Sequence, residues 1–406
     1  MNVNPLKAKL YIGFLLENIQ SSKVSFEKAF SDIVKRYGLK SWEANQLYKL
    51  AYRVLIYYHS IRFLAGFKGY KPRSSQIVEI LYRYGFNVQR ILDELHDITK
   101  HLPIQSRIAI LHGYPTWFVS DLHGRMPVDE LESMLSSLNT RKRWLIVNTH
   151  KATLEDAIAC LEEFGISTQK HPLFENVLQV KDPFKKLGNI PCITRGEVIP
   201  QDISSFIIVQ LLKAYGEDLV DACSAPGLKL SEIANEKVYS RIVAVDISEA
   251  RTGYIPIQLE RIAGIIPTVI IVNSDSRTLM LNTKRATVFI DAPCSNSGSV
   301  YSNPAVKVYL SKRLVKKMSK VQLSLLKASA KYAERIVYAV CSVHPREGEE
   351  VVSQILGKLK DFELSKVSLP YGNDGYRGYA VSKLVTRLNP HVVNGQGFFI
   401  AVLERR

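Results

Sequence analysis

The sequence contains no Cys-x-x-Cys pair, and its five cysteines (Cys160, Cys192, Cys223, Cys294 and Cys341) are odd in number and scattered. That spacing argues against a disulfide framework and against a structural zinc site, and it predicts a reducing, intracellular setting. Also missing is any run of about eighteen apolar residues, so no membrane-spanning helix is expected. Met1 to Leu16 is too polar for a secretory signal, which predicts a soluble, unprocessed, cytoplasmic chain. At the one tight strand-loop-helix turn, CSAPGLK, neither a GxGxxG pattern nor a GKS/T ending is present, which weakens dinucleotide and ATP readings.

Acidic residues are the next shortage. Lysine and arginine number 54 against 38 acids, a net charge of +16, the electrostatic footprint of a polyanion binder, with nucleic acid the first candidate. At 406 residues the chain is too long for one ordinary core, and 46% hydrophobic residues suffice to fold two or three domains.

Residues 1–102 show apolar residues three and four apart, the pattern of an all-helical domain, with Ser41 as a cap and Gly38 and Gly66 as stops. This stretch holds 16 lysines and arginines against 8 acids, and 16 of the 38 aromatics, which at helical spacing read as core rather than as base-stacking platforms. Residues 103–198 form a small α+β module, with helices at Val128 to Leu138 and Thr153 to Phe164 and strands at Trp144 to Asn148 and Val177 to Val180. From 199 to 406 strands and helices alternate, which predicts a mostly parallel, doubly wound α/β sheet. Its expected strands begin at Leu219, Arg241, Thr268, Thr287 and Val337, a long helix runs from Val306 to Ile336, and Tyr379 to Val385 with Gly397 to Glu404 closes an antiparallel edge.

Three strand ends carry the chemistry. LVDACSAPGLK turns through Gly227 into a helix bearing Lys229; TVFIDAPCSNSG ends in Asp291 and Cys294; VYAVCSVHPREGEE ends in Cys341. Ligands of open α/β sheets bind outside the carboxyl ends of the strands, so these residues point at one crevice. Asp246 lies at the spacing from Gly227 at which a carboxylate accepts ribose hydroxyls, and Asp275 could reach a base. An adenosyl cofactor without phosphates suits this set.

These motifs, with VDISEAR, NSD, PTWFV at 115 to 119, GEVIPQDISS at 196 to 205 and the closing GFFIAVLE, resemble the Fmu/Sun (RsmB-like) family of RNA cytosine-5 methyltransferases over about Arg107 to Arg406. The N-terminal helices resemble the NusB-like RNA-binding module of some members. The resemblance implies a Rossmann-like methyltransferase domain and S-adenosyl-L-methionine held by Cys223, Ser224, Ala225, Pro226, Gly227, Leu228 and Lys229, with Asp246, Arg251, Asp275 and Asp291. It implies Cys341 as nucleophile and Cys294 assisting product release, and at its strand end Asp291 could also hydrogen-bond the target cytosine. The partner would be ribosomal or transfer RNA, and the protein a monomer.

The chemistry agrees with these roles: cytosine C5 is too poor a nucleophile to take a methyl group until a thiolate adds at C6. Lys229 and the helix after Pro345 are candidate sources of a depressed thiol pKa at Cys341. The basic stretch from Tyr301 to Arg335, nine lysines and arginines against one acid, is expected to hold RNA backbone.

Four positions depart from the family pattern: Leu230, Asn296, Val340 and Gly348. Two rival readings are a DNA cytosine-5 methyltransferase, against which the second cysteine speaks, and an RNA-binding assembly factor with dispensable methylation.

Overall fold

The computed structural model describes residues 4–66, 73–264, 269–282 and 286–406. Residues 67–72 of the helical stretch and Thr268 of the expected strand lie outside them. The chain packs as two compact units, one of residues 1–140 with 295–315, the other of 141–294 with 316–406.

The first unit is helical. Its logic is clearest in Phe26–Tyr37, where Phe26, Ala29, Phe30 and Ile33 form the buried stripe. Ser25 caps that helix by accepting from Lys28 N–H, and Gly38 ends it at φ 58°. Ser41 corrects the sequence reading: it is the first residue of Ser41–Ile56, and Lys40 in the cap position makes no side-chain bond. The aromatics Tyr11, Phe26, Phe30, Tyr52, Tyr58 and Phe86 are buried as core.

Residues 295–315 complete this unit, and Lys307 anchors them. Its side chain is fully buried, donates to the carbonyls of Ile56 and His112 and to Asn139 Oδ1, each at 2.7 Å, and lies 3.6 Å from the Tyr114 ring centroid. Burial pushes its pKa well down. The expected long helix breaks here: Val306–Tyr309 stops, Ser311 accepts from Leu314 N–H at 3.3 Å, and Lys312–Ser329 starts afresh.

The second unit is built on two sheets. The smaller takes β1 (Trp144–Val147), β2 (Thr168–Lys170), β3 (Val177–Val180) and β4 (Val198–Pro200) in the order β2-β3-β1-β4. Leu145, Val147, Leu178 and Val180 pack on Ala157 and Leu161 of the helix Leu154–Glu163.

The larger sheet contains β5 (Glu217–Asp221), β6 (Tyr239–Asp246), β7 (Val269–Asn273), β8 (Ala286–Asp291), β9 (Ala333–Val340), β10 (Phe362–Ser365), β11 (Gly372–Asp374), β12 (Thr386–Leu388) and β13 (Phe398–Arg405). Its order is β11-β12-β13-β9-β8-β5-β6-β7, with β10 also on β13. β5 to β9 run parallel, and β13 joins β9 antiparallel. This is the doubly wound sheet with an antiparallel edge that the alternation of elements predicts.

Successive residues of a strand face opposite ways, and both faces here are dry. Leu219, Phe289, Val337 and Ala339 enter one apolar cluster while Val220, Val288, Ile290, Ile336 and Tyr338 enter another.

Three boundaries differ from the sequence reading. β9 begins at Ala333, so Ile336 is strand rather than helix; Ala250 to Ala263 splits into Glu249–Thr252 and Tyr254–Ile262; and Tyr379 to Val385 is not a strand but holds a 3₁₀ turn, Ser382–Leu384.

The cysteine reading is corrected as well. Cys160, on Leu154–Glu163, and Cys192, in the short helix Pro191–Thr194, form a disulfide with a Cα separation of 6.4 Å. Pairing across 32 residues is a tertiary event that motif spacing cannot show, and the inference of a reducing setting loses its premise. Closing a loop of that size is worth about 4 kcal/mol. Adding reductant to the wild type is therefore expected to lower the thermal midpoint, and Cys192→Ser to lower it equally while abolishing the reductant effect. Among the described residues, no helix is long and apolar enough to cross a membrane and no group of three or more His, Cys, Asp or Glu could hold a metal.

Candidate active site

β5 is central, with β6 and β7 on one side and β8 and β9 on the other, so the strand order reverses between β5 and β8. That reversal opens the crevice where such sheets take ligands. Asp221 ends β5, and Asp291 ends β8.

After Asp221 the chain turns through a cis Ala225-Pro226 bond and Gly227, whose φ of 97° starts the helix Leu228–Asn235. A Cβ on Gly227 would lie 3.1 Å from Ile255 Cα, so both conformation and space demand glycine. Asp246, at the end of β6, fastens the loop by accepting from Ala225 N–H at 3.1 Å and from Ser248 N–H at 2.9 Å. Arg251 lies 3.8 Å from Asp246 and donates to the carbonyl of Ala225.

Asp275 is turned to a local partner, accepting from the Arg277 guanidinium at 2.6 to 3.0 Å, which holds its carboxyl below the usual range. The neighbouring Ser276 Oγ ties this loop to the end of β5 by donating to the Ala222 carbonyl at 2.6 Å.

Lys229 Nζ lies 2.7 Å from Asp291 Oδ2. Burial opposes the lysine's charge, but the Asp291 carboxylate prevails and raises its pKa. Asp221, buried and close to Asp291, is pushed up to about 7 by burial and then by that like charge. Burial raises Cys223 well above an ordinary thiol, which makes it a packing group rather than a nucleophile.

The other two thiols meet. Cys294 Sγ and Cys341 Sγ are 3.0 Å apart, one following β8 and the other β9. Around them is a buried frame that sequence reasoning missed. Glu347 accepts from Ser342 Oγ at 2.7 Å and from Gln322 Nε2 at 3.3 Å, while the same Gln322 amide donates to the Pro293 carbonyl at 3.0 Å. Residues flanking both cysteines are thus tied together through the hydrogen-bonded Gln322–Glu347 pair. Arg387 donates to Glu349 at 2.7 and 2.6 Å and to the Ser342 carbonyl at 3.2 Å. The sequence signal was slight: of the three glutamates in REGEE, Glu347 and Glu349 are the two that folding buries.

Two of the four departures acquire reasons. Asn296 has φ 58°, a conformation glycine adopts freely and asparagine tolerates better than most residues. A Cβ on Gly348 would meet the Phe399 ring at 2.7 Å and Arg387 at 2.8 Å. Gly348→Ala is therefore expected to cost about 1–3 kcal/mol of overpacking, read by denaturant unfolding, with transfer activity falling because Arg387 must shift.

A cavity of about 300 Å³ opens beside the β5–β8 reversal, walled by Gln201, Asp221, Ser224, Lys229, Phe289 and Asp291 among others. Burial raises Glu232, one turn along the helix from Lys229, to about 8, and its carboxyl oxygen Oε1 accepts from Gln201 Nε2.

The chain matches two family models: "16S rRNA methyltransferase RsmB/F" over 209–404 and the RsmF/B-like ferredoxin-like domain over 114–185. It is 29% identical over 317 residues to the 25S rRNA (cytosine-C(5))-methyltransferase nop2 of Schizosaccharomyces pombe, covering 73% of this chain and 52% of that protein. To ribosomal RNA small subunit methyltransferase B of Yersinia pestis it is 25% identical over 291 residues, covering 68% of this chain and 66% of that one. The chain thus spans less than two thirds of either relative. Among solved structures it is similar to that of PH0851, with a TM-score of 0.77 over 100% of both chains at 22% identity, a likeness of fold. The matched segments take in β1 to β3 of the small sheet and nearly all of the large one, so over 114–185 and 209–404 the chain is similar to the two domains of the RsmB/F methyltransferases, and the strand-end motifs of that similarity converge on one crevice.

Proposed function

We propose that the protein methylates C5 of a cytosine in ribosomal RNA through a transient covalent bond between Cys341 and the base. The observation that carries this reading is the pair of thiols 3.0 Å apart at the ends of adjacent parallel strands, next in the sheet to the Lys229–Asp291 pair.

The residues fit S-adenosylmethionine. A glycine-only turn, a carboxylate at the end of β6 and a 300 Å³ cavity between cation and carboxylates suit an adenosyl amino acid without phosphates. When bound, that cofactor supplies a methyl group on a sulfonium, an electrophile that needs an activated carbon. The thiolate of Cys341 adds to C6, and the electron pair of the C5–C6 bond becomes available at C5. Asp291, oriented by Lys229, accepts from the exocyclic amine of the base, and the Lys229 ammonium beside it offsets the negative charge that develops on the ring. After transfer the C5 proton leaves to Cys294 or to a water it holds, the double bond re-forms and the thiolate departs. The target base must be turned out of any helix, at a cost of a few kcal/mol.

For the RNA backbone, the helix Lys312–Ser329 exposes Arg313, Lys316, Lys317, Lys320 and Lys327, while Lys307 is withdrawn from that set by its burial. The helical first unit, with its excess of basic residues, is a second surface for RNA, as the resemblance to NusB-like modules implies.

The test is transfer of labelled methyl groups to purified ribosomal RNA, transfer RNA and duplex DNA. Label recovered as 5-methylcytosine in ribosomal RNA is the expected result. Label in transfer RNA alone would change the substrate class, and RNA binding without label in any sample would favour an assembly factor.

A further inference from the structure

Gln201 stands where β4 ends at Pro200 and before the helix Ile203–Lys213 begins. Its neighbour Asp202 caps that helix by accepting from Ser204 N–H at 3.0 Å and is bonded in turn by Gln396 N–H at 2.9 Å, so the backbone at this junction is fixed. The Gln201 side chain is also fixed. Its Nε2 donates to Glu232, and the residue is 6% exposed.

This leaves an anomaly. Gln201 Oε1 is buried and, among the described residues, has no hydrogen-bond partner. A buried carbonyl oxygen without a donor costs about 1–3 kcal/mol, so such an atom asks for a ligand. Gln201 lines the 300 Å³ cavity together with Asp221, Lys229 and Asp291. The wall thus offers acceptors and one cation, the complement of an amino-acid zwitterion. The adjoining glycine turn and Asp246 suit the adenosyl end of the same molecule.

We infer that Gln201 is a cofactor-binding residue whose Oε1 accepts from the α-ammonium of S-adenosylmethionine, and that Glu232 is the positioning residue that aims it. This rests on the cofactor reading above. Holding Nε2 on a carboxyl oxygen turns Oε1 the other way, so Glu232 selects the amide's acceptor for the cavity. Lys229, one turn earlier on the same helix, serves Asp291, and the helix Leu228–Asn235 thereby positions both groups.

The experiment is calorimetric binding of S-adenosylhomocysteine, its deamino analogue, its decarboxy analogue and 5′-methylthioadenosine, which lacks the amino-acid end, to wild type, Gln201→Met and Glu232→Leu. Both variants are expected to bind S-adenosylhomocysteine about 10- to 100-fold more weakly, the loss of a hydrogen bond to a charged group, and 5′-methylthioadenosine as the wild type does. Against the deamino analogue the variant and wild-type affinities should converge, because the donor is gone. Equal weakening for every ligand would make Gln201 merely structural and overturn the inference. Convergence on the decarboxy analogue instead would show that the amide serves the carboxylate, and would overturn it too. If the wild type binds none of the four, the cofactor reading itself falls.

Discussion

Cys341→Ala is expected to abolish methyl transfer, lowering kcat by at least about 10⁴-fold, because without a sulfur to add at C6 the C5 carbon never acquires the electron density it needs. Cys294→Ala is expected to lose about 10²- to 10⁴-fold, the range for one proton-transfer group, at a different stage. Methylated but unreleased RNA should accumulate on the protein, since the C5 proton has lost its acceptor. Single-turnover kinetics with labelled cofactor separate the cases: Cys341→Ala gives no burst, and Cys294→Ala gives a burst without turnover. Equal turnover in both variants would place the chemistry elsewhere.

The largest expected effect on stability lies behind the cysteines. Arg387 and Glu349 are 1% and 0% exposed at their side chains and meet at 2.6 Å. Glu349 also accepts from Tyr376 N–H at 2.8 Å, and the guanidinium carbon lies 3.7 Å from the Tyr376 ring centroid. Removing one member of such a pair leaves an uncompensated charge in a dry interior, at about 3–5 kcal/mol. Arg387→Met should cost that much in denaturant unfolding, and Glu349→Leu a similar amount. The double variant should cost less than the sum, because no lone charge remains. Activity should also fall in Arg387→Met, since the Ser342 carbonyl next to Cys341 loses its donor. Additive losses would mean the pair is not coupled as the geometry indicates.

The legible parts of this chain were those encoded over short distances. Apolar runs ending in Asp246, Asp291 and Cys341 announced parallel strands whose carboxyl ends share a crevice, because a strand buried on both faces leaves an unbroken apolar signature. Gly227 was legible for the same reason: one turn requires it.

What escaped depends on partners far apart in sequence. Gln322 and Glu347 are ordinary polar residues until folding links them in series between Pro293 and Ser342. Arg387 and Glu349 lie 38 residues apart, and the Cys160–Cys192 bond joins two helices, Leu154–Glu163 and Pro191–Thr194, across 32 residues. Lys307 looked like part of a basic RNA-facing stripe; three acceptors and an aromatic ring instead make it an internal anchor. The helix break at Leu310–Ser311 could have been read, since Ser311 has the form of a helix cap.

The measurement that bears most directly on the central claim uses RNA carrying 5-fluorocytidine, in which fluorine at C5 cannot leave as a proton and the covalent adduct persists. After incubation with cofactor, the protein is digested with trypsin and the peptide bearing the nucleotide is identified by mass spectrometry. The account predicts attachment within residues 336–346, IVYAVCSVHPR, at Cys341. Attachment within residues 286–307, at Cys294, or no adduct alongside full methylation of unmodified RNA, would contradict it.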